Sequence, residues 1–584
     1  GTIFGEYKII DGLTFRTTAN LDNTNTTSKG YTPYTVTGSI TTRQNSPNLG
    51  TSGSFSEYSK RTFVNENTLS YAKVLGNSHH LSFLIGQAYN SDKLENANLG
   101  SVGGFGVSGV TTLGSASGIS GGTSETENVL LSYFGRVQYS YSSKYLLSAS
   151  IRRDGSSRFG ADNQFGWFPS ASVGWKLTEE KFMKAVPQIS DLKLRVSYGE
   201  SGNYNIGDYS SRALLGGSNY SLNGVPAYGQ ALIGAANPNL KWEKSKTTDL
   251  GIDLGLLQNR ITVSVDYYNK LNTDLLLNVP IPESTGFGTQ LSNVGSVRNK
   301  GLEFELNTRN TTGALVWTTS LNLSHNTNKV VSLGAGQTQI LIPSSFDITH
   351  SILKVGQPLN SYYLVRQIGI LSAQDITNKM ALFGKETVGD PKYQDANGDG
   401  VINANDRQII GHPNPDWTYG ITNTFRYKGF DFSFLVQGQR GGSIYSLLDR
   451  ALNRTGQGVP DNSLGEVRDR WRSASDPGNG RDGKAYSTFG TIPNTNWLFS
   501  SNYVRVRSIT MGYDLGRQFK TKAIKGARIY MTAENFFGHD SYTGGLNPEA
   551  SNTNLSGSSI FPETGDYGGL PLPKSLILGL NFTF

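Results

Sequence analysis

The last stretch of the chain, Lys574 to Phe584, restricts the fold more than any other. Leu576, Leu578, Leu580, Phe582 and Phe584 fall on one face of an extended strand. Ser575, Gly579, Asn581 and Thr583 fall on the other, together with Ile577. One face suits lipid and the other suits water. A chain that finishes on such a strand, with an aromatic at its end, leaves a sticky edge unless that edge is paired, and closing a barrel pairs it. The last strand of a soluble sandwich alternates too, so the reading rests on recurrence.

The alternation recurs. Leu192, Leu194, Val196 and Tyr198 alternate with Lys193, Arg195 and Ser197, while Ile261, Val263 and Val265 alternate with Thr262, Ser264 and Asp266. Leu321 and Leu323 alternate with Ser320 and Asn322, Phe430, Phe432 and Phe434 with Asp431 and Ser433, and Val504 and Val506 with Arg505 and Arg507. Charged residues spaced this way make the second face wet or salt-bridged. Short links with turn chemistry stand at Asp11-Gly12, Gly76-Asn77, Ser142-Ser143, Gln258-Asn259, Thr312-Gly313 and Lys428-Gly429. Between them run long polar stretches, over residues 153–164, 201–239, 324–415, 439–497 and 538–573. Short turns at one end and long loops at the other predict an all-β fold, a transmembrane antiparallel β-barrel with long extracellular loops and roughly 16 to 18 strands in this stretch.

Composition agrees where it bears on that fold. A soluble chain of 584 residues would divide into several domains, whereas a barrel grows by adding strands around a ring. No repeat at the period of a sandwich domain is present. Glycine makes up 70 of 584 residues, or 12%, against about 7% in ordinary proteins. The 29 Tyr and 27 Phe suit interfacial girdles. There is no run of about 18 apolar residues to cross a membrane as a helix. The net charge, 52 − 45 = +7, is spread along the chain without a Lys/Arg block interleaved with aromatics, so no nucleic acid partner is expected. The absence of cysteine removes disulfides, thiolate catalysis and Cys-based zinc sites. Position 1 is Gly and the chain opens directly in strand-like sequence, so an N-terminal portion is expected to precede it.

The sharpest short motif is Asp395-Ala396-Asn397-Gly398-Asp399-Gly400-Val401-Ile402-Asn403-Ala404-Asn405-Asp406. Asp395, Asn397 and Asp399 at loop positions 1, 3 and 5, Gly400 at 6, the Val401 carbonyl at 7 and Asp406 at 12 reproduce calcium-loop spacing. A hard cation needs such oxygens converging from a tight turn. Asp406 is shorter than the bidentate Glu usual at position 12, and a merely polar turn is the alternative. The expectation is a structural Ca2+ that rigidifies the extracellular loop region 324–415 through loop 395–406. Ser372-Ala373-Gln374-Asp375 predicts a capped short helix through Phe383, and Ser463 to Arg472 another amphipathic turn or two. The Ser/Gly/Thr-rich segment Leu99 to Thr126 reads as a mobile surface loop.

Gly389-Asp390-Pro391-Lys392-Tyr393, leading into the calcium-like loop, and Gly411-His412-Pro413-Asn414-Pro415-Asp416-Trp417-Thr418-Tyr419-Gly420 after it resemble the SusC/RagA-like TonB-dependent transporters of Bacteroidetes outer membranes. So do Phe134-Gly135-Arg136-Val137, Lys144-Tyr145-Leu146-Leu147, the run Arg152 to Gly160, and Gly166-Trp167-Phe168-Pro169-Ser170. Asn237-Pro238-Asn239-Leu240-Lys241-Trp242-Glu243, Asp266-Tyr267-Tyr268-Asn269-Lys270, Asn293-Val294-Gly295, Asn299-Lys300-Gly301-Leu302-Glu303 and Asn547-Pro548-Glu549 complete an ordered series spanning nearly the whole chain. The resemblance implies a barrel of about 22 strands with a plugged lumen, of which residues 1–584 are the C-terminal major part. It implies an active nutrient importer for large oligosaccharides or peptides, embedded in outer-membrane lipid. A SusD-like surface lipoprotein would act as its lid, and TonB–ExbB–ExbD would supply energy through the missing N-terminal part. A passive porin, or a barrel anchoring a larger outer-membrane assembly, are the competing readings.

No catalytic residue is expected. The six His, at 79, 80, 325, 350, 412 and 539, form no HExxH pattern, and no nucleophile elbow is present. No organic cofactor is expected. Trp471, Trp497 and Tyr542 are candidates to contact substrate, with loop packing or girdle anchoring the more ordinary role for each. Arg152, Arg153, Arg158, Arg505 and Arg507 are expected to line the wall and pair with acids. No substrate site is assigned.

Overall fold

The computed structural model describes residues 1–33, 35–36, 50–106, 109–334, 336–343, 349–453, 463–516, 525–550 and 565–583. Phe584, and the parts of the expected loops at 344–348, 454–462 and 551–564, lie outside them. The described residues carry a 17-stranded sheet, in keeping with the number expected. They divide into two compact units. One comprises Gly1–Val173, Gly199–Lys244 and Asn278–Asn293; the other comprises Gly174–Tyr198, Ser245–Leu277 and Val294–Phe584. Among the described residues no helix is long and apolar enough to cross a membrane.

The first unit is built on long antiparallel strands. Leu13–Thr32, Ser52–Leu75, His79–Phe105 and Ala116–Tyr141 run for 20, 24, 27 and 26 residues. A tilted barrel strand needs only about 9–11 residues to cross the hydrocarbon, so these continue far beyond it. That length corrects the reading of Leu99 to Thr126 as a mobile loop for residues 99–105 and 116–126, where Leu99 pairs with Gly121 and Gly100 with Ser120; residues 107 and 108 lie outside the described residues. The physical reason lies in backbone approach. A Cβ added at Gly121 would sit 2.9 Å from Leu99 Cα, so small residues here serve the ladder. The expected turns form where φ must be positive, with Gly12 at +83°, Gly76 at +59°, and Ser142 and Ser143 at +50° and +56°.

Two of the sequence motifs meet in this unit. Phe159 packs against Trp242 with ring centres 5.2 Å apart, and Phe168 and Tyr204 close on the same indole at 5.3 and 5.4 Å. Trp242 Nε1–H donates to the Gln164 carbonyl at 2.7 Å. A Cβ at Gly160 would overlap the Pro238 carbonyl, so glycine lets the two segments touch.

In the second unit the register separates two faces. Val263 stands opposite Leu306, Leu306 opposite Leu321, Leu321 opposite Ile421, and Ile421 opposite Val436. One residue along, Ser264, Glu305, Asn322, Gly420 and Gln437 form the neighbouring row. Side chains alternate across a strand, so an apolar row and a polar row lie on opposite faces. The last strand, Ser575–Thr583, shows the same division. Leu576, Leu578, Leu580 and Phe582 are 65, 73, 59 and 51% exposed, which in water would make a large apolar patch and in lipid makes an anchor. Near the Lys428-Gly429 turn, Phe430 and Tyr513 pack with ring centres 4.3 Å apart.

The long loops of this unit have their own cores. Tyr362, Leu364, Tyr445, Leu447 and Trp497 form one buried cluster, and Val365, Tyr393 and Ile402 another. The expected helix is present but shorter: Ala373–Thr377, with Ser372 and Asp375 completing the capping box. It stops before Phe383 because Lys379 takes φ +53°, which no right-handed helix accommodates. Gly465–Asp469 forms a 3-10 turn within the second expected helical stretch. Residues 324–332, assigned to the loop region, continue the strand Leu315–Ser332.

Candidate functional site in the inner wall and outer loops

Loop 395–406 folds around its own backbone. Asp395 Oδ1 accepts from Gly398 N–H at 2.7 Å and Oδ2 from Gly400 N–H at 2.9 Å. Asn397 Oδ1 accepts from Asp399 N–H at 3.0 Å, and Asp399 Oδ1 from Val401 N–H at 2.9 Å. Gly398 and Gly400 take φ +75° and +84°, which lets the turn close this tightly. The Val401 N–H, with the Asn397 amide, holds the Asp399 carboxyl below its ordinary pKa. Asp406 is fully buried; its Oδ1 accepts from Ala396 N–H at 2.8 Å and its Oδ2 from Asn403 N–H at 2.7 Å. Among the described residues no three His, Asp or Glu side chains converge as a metal centre does. The oxygens expected to face a cation thus serve as caps for the loop's own donors.

The aromatic candidates sit in packing roles. Trp497 is 3% exposed inside the Tyr362–Tyr445 cluster. Tyr542 is 5% exposed, donates to Asp566 Oδ2 at 2.7 Å, and is held above the ordinary tyrosine pKa by burial. Trp471 lies against Gly389, where an added Cβ would be 2.5 Å from the indole. Four of the five arginines pair with acids, whereas Arg153 stacks on aromatic rings instead. Arg152 pairs with Asp154 at 2.6 Å, Arg158 with Asp208 at 2.7 Å, and Arg505 with Asp540 and Glu549 at 3.1 and 3.2 Å. Arg507 pairs with Glu549, and Arg153 lies 4.3 Å from the centre of the Phe165 ring.

An inner-wall network escaped the sequence reading. Arg195 donates to Asp253 through Nε and Nη2 at 2.8 and 2.9 Å, and its Nη2 lies 2.9 Å from Asp266 Oδ1. Ser264 Oγ–H donates to Asp253 at 2.9 Å and lies 3.1 Å from an Asp266 oxygen. The signal available was modest: Arg195 and Asp266 each occupy the polar phase of an alternating strand. Asp266, Glu303 and Glu305 line a concavity of about 520 Å³ on this wall. Ser264, Asn322 and Gln437 add hydroxyl and amide groups to these carboxylates, which offer water and hydrophilic solutes hydrogen-bonding partners, while Phe304, Leu323 and Leu435 also contribute to the lining.

The family described as TonB dependent receptor-like, beta-barrel matches residues 4–361. The chain belongs to the TonB-dependent receptors. This TonB-dependent receptor is 33% identical to TonB-dependent receptor P26 of Formosa agariphila over 560 residues, which is 93% of this chain and 56% of that relative. It is 33% identical to SusC of Bacteroides thetaiotaomicron over 479 residues, 79% of this chain and 44% of that one. The receptor chain therefore spans about half the length of these relatives. Among solved structures, the RagAB peptide transporter superposes with a TM-score of 0.82 at 25% identity, over 100% of this chain and 61% of that one. The 17-stranded sheet is the major part of an outer-membrane receptor β-barrel of SusC/RagA type. Its family is one of transporters, not enzymes.

Proposed function

We propose that this barrel belongs to an active importer of large oligosaccharides or peptides, covered by a SusD-like surface lipoprotein and driven by TonB–ExbB–ExbD. The single observation behind this reading is the match to the RagAB peptide transporter along the whole chain. The polar inner wall agrees with it, because a hydrophilic solute crossing the outer membrane needs hydrogen-bonding partners throughout. The test is to purify the full-length protein from its own membrane, identify what copurifies, and measure uptake with and without TonB. An equimolar surface lipoprotein and TonB-dependent uptake support the importer. Uptake that persists without TonB favours a passive porin, and copurification of a large unrelated assembly without uptake favours an anchor.

We propose that loop 395–406 can hold a structural calcium ion, a reading supported by the spacing of its oxygens. Asp395, Asn397, Asp399, the Val401 carbonyl and Asp406 would hold it, each carboxylate sharing oxygens already engaged by backbone donors.

A further inference from the structure

The outer loops of the second unit contain a small polar centre. The helix Leu447–Asn453 supplies Asp449 and Asn453, the segment 479–484 supplies Arg481 and Asp482, and the 3-10 turn Thr495–Trp497 supplies Asn496 and Trp497. Arg481 joins them. Its Nη2 meets Asp449 Oδ2 at 2.7 Å, its Nε donates to Asn496 Oδ1 at 2.7 Å, and its guanidinium lies 5.6 Å from the centre of the Trp497 ring. The Arg481 carbonyl accepts from Gln367 Nε2 at 2.7 Å, which ties in a fourth segment.

A cavity of about 20 Å³ lies among these residues, lined by Asn453, Arg481, Asp482 and Trp497 with others. Most of the surrounding polar atoms are satisfied. Asn453 Nδ2 donates to Asp449, and Asp482 Oδ2 accepts from Asn479 Nδ2 at 2.7 Å. Trp497 Nε1, Asn453 Oδ1 and Asp482 Oδ1 are buried and have no hydrogen-bond partner, although the Arg481 Nε lies 4.0 Å from Asp482 Oδ1. Their residues are 3, 2 and 5% exposed, so bulk water does not satisfy them.

We propose that this cavity binds one water molecule, which accepts from Trp497 Nε1–H and donates to Asn453 Oδ1 and Asp482 Oδ1. One donor and two acceptors around a space of this size match the valence of water, and a cavity of about 10–15 Å³ or more suffices to hold it. A cation is disfavoured because the Trp497 N–H and the Arg481 guanidinium would face it. An anion is disfavoured because the Asp482 carboxylate would face it. The water completes a junction at which the helix Leu447–Asn453, the segment 479–484 and the turn Thr495–Trp497 are cross-linked, so these loops behave as one rigid platform.

The test uses the full-length protein with whatever partner it retains. A structure at a resolution that shows other buried waters should reveal one density peak with hydrogen-bond distances to the three named atoms. Hydrogen exchange of residues 447–453 and 479–484 should accelerate about tenfold in Trp497→Phe, which keeps a large ring but removes the donor. It should stay near the original rate in Asp482→Asn, which retains an acceptor oxygen, and in Ser372→Ala elsewhere in the loops. An empty cavity, a peak with ligands at about 2.3–2.6 Å as calcium would give, or equal exchange in Trp497→Phe and the unmodified protein would overturn the proposal.

Discussion

Replacing Leu578 by arginine tests the assignment of faces where the geometry is simplest. The strand Ser575–Thr583 has nine residues. At about 3.4 Å per residue it extends for about 31 Å, and a tilt of about 40° reduces its vertical span to about 23 Å, close to the apolar band of about 25 Å on such barrels. Leu578 is the fourth residue of this strand and 73% exposed, so its side chain lies near the middle of the band and points away from the sheet. Arginine at the midplane of a barrel's lipid face costs about 2–4 kcal/mol. The control is Asn581→Arg, three residues on and on the opposite face. Asn581 stands opposite Arg528, whose charge is already paired with Asp431, so the added charge should cost within about 1 kcal/mol. Folding of the full-length protein into lipid vesicles, followed by urea titration, measures both variants. A difference of about 2 kcal/mol or more in the stated order is expected. Equal losses, or a larger loss for Asn581→Arg, would refute the assignment.

Three further perturbations probe other parts of the molecule. Gly160→Ala inserts a Cβ into the Pro238 carbonyl and should cost about 1–3 kcal/mol as the Phe159–Trp242 junction spreads, which Trp242 emission in an otherwise tryptophan-free background would report. The Lys392 ammonium, 2.6 Å from Asp375 Oδ1, together with the Ser372 donors, holds the Asp375 carboxyl down to about 2. A carboxyl lowered on folding stabilises the capped helix above about pH 4 and loses that contribution as pH falls towards about 2; protease cleavage within 373–377 should rise across that window and, in Asp375→Asn, be independent of it. If loop 395–406 binds calcium, a chelator should increase cleavage near residue 400 in the unmodified protein but not in Asp395→Ala with Asp399→Ala; unchanged cleavage in the unmodified protein would exclude the metal.

The parts of the fold legible in the sequence are those where a local rule meets no competitor. Lys428-Gly429 and Gln258-Asn259 turn with φ of +47° and +93° and of +60° and +58°, and in each pair Gly429 or Asn259 supplies the residue type that tolerates positive φ. Leu576, Leu578 and Leu580 alternate because one face meets lipid. The strand parts of Leu99 to Thr126 are not legible because Gly-rich, low-complexity sequence gives no alternating pattern, whereas an established ladder carries its neighbours with it: pairing from His79 with Tyr141 continues to Leu99 with Gly121. Propensity is decided residue by residue; ladder hydrogen bonding is not.

The inner-wall and loop networks were hidden for a different reason. Arg195 and Asp253 are separated by 58 positions, and Arg481 and Asp449 by 32, so neither pair follows from spacing. Alternation assigns Arg195 to a face, but the register of strands between it and Asp266 decides whether it meets a carboxylate. The calcium-like loop shows the converse. Its spacing was fully visible, yet spacing constrains only which oxygens can converge, while the positive φ of Gly398 and Gly400 gives Asp395 two backbone N–H groups to accept from. A motif whose ligands are also good capping residues can close on itself without a metal. Cation binding there must therefore be judged by whether the ion lowers the free energy of a loop that its own donors already hold, and chelator-dependent cleavage near residue 400 measures that difference.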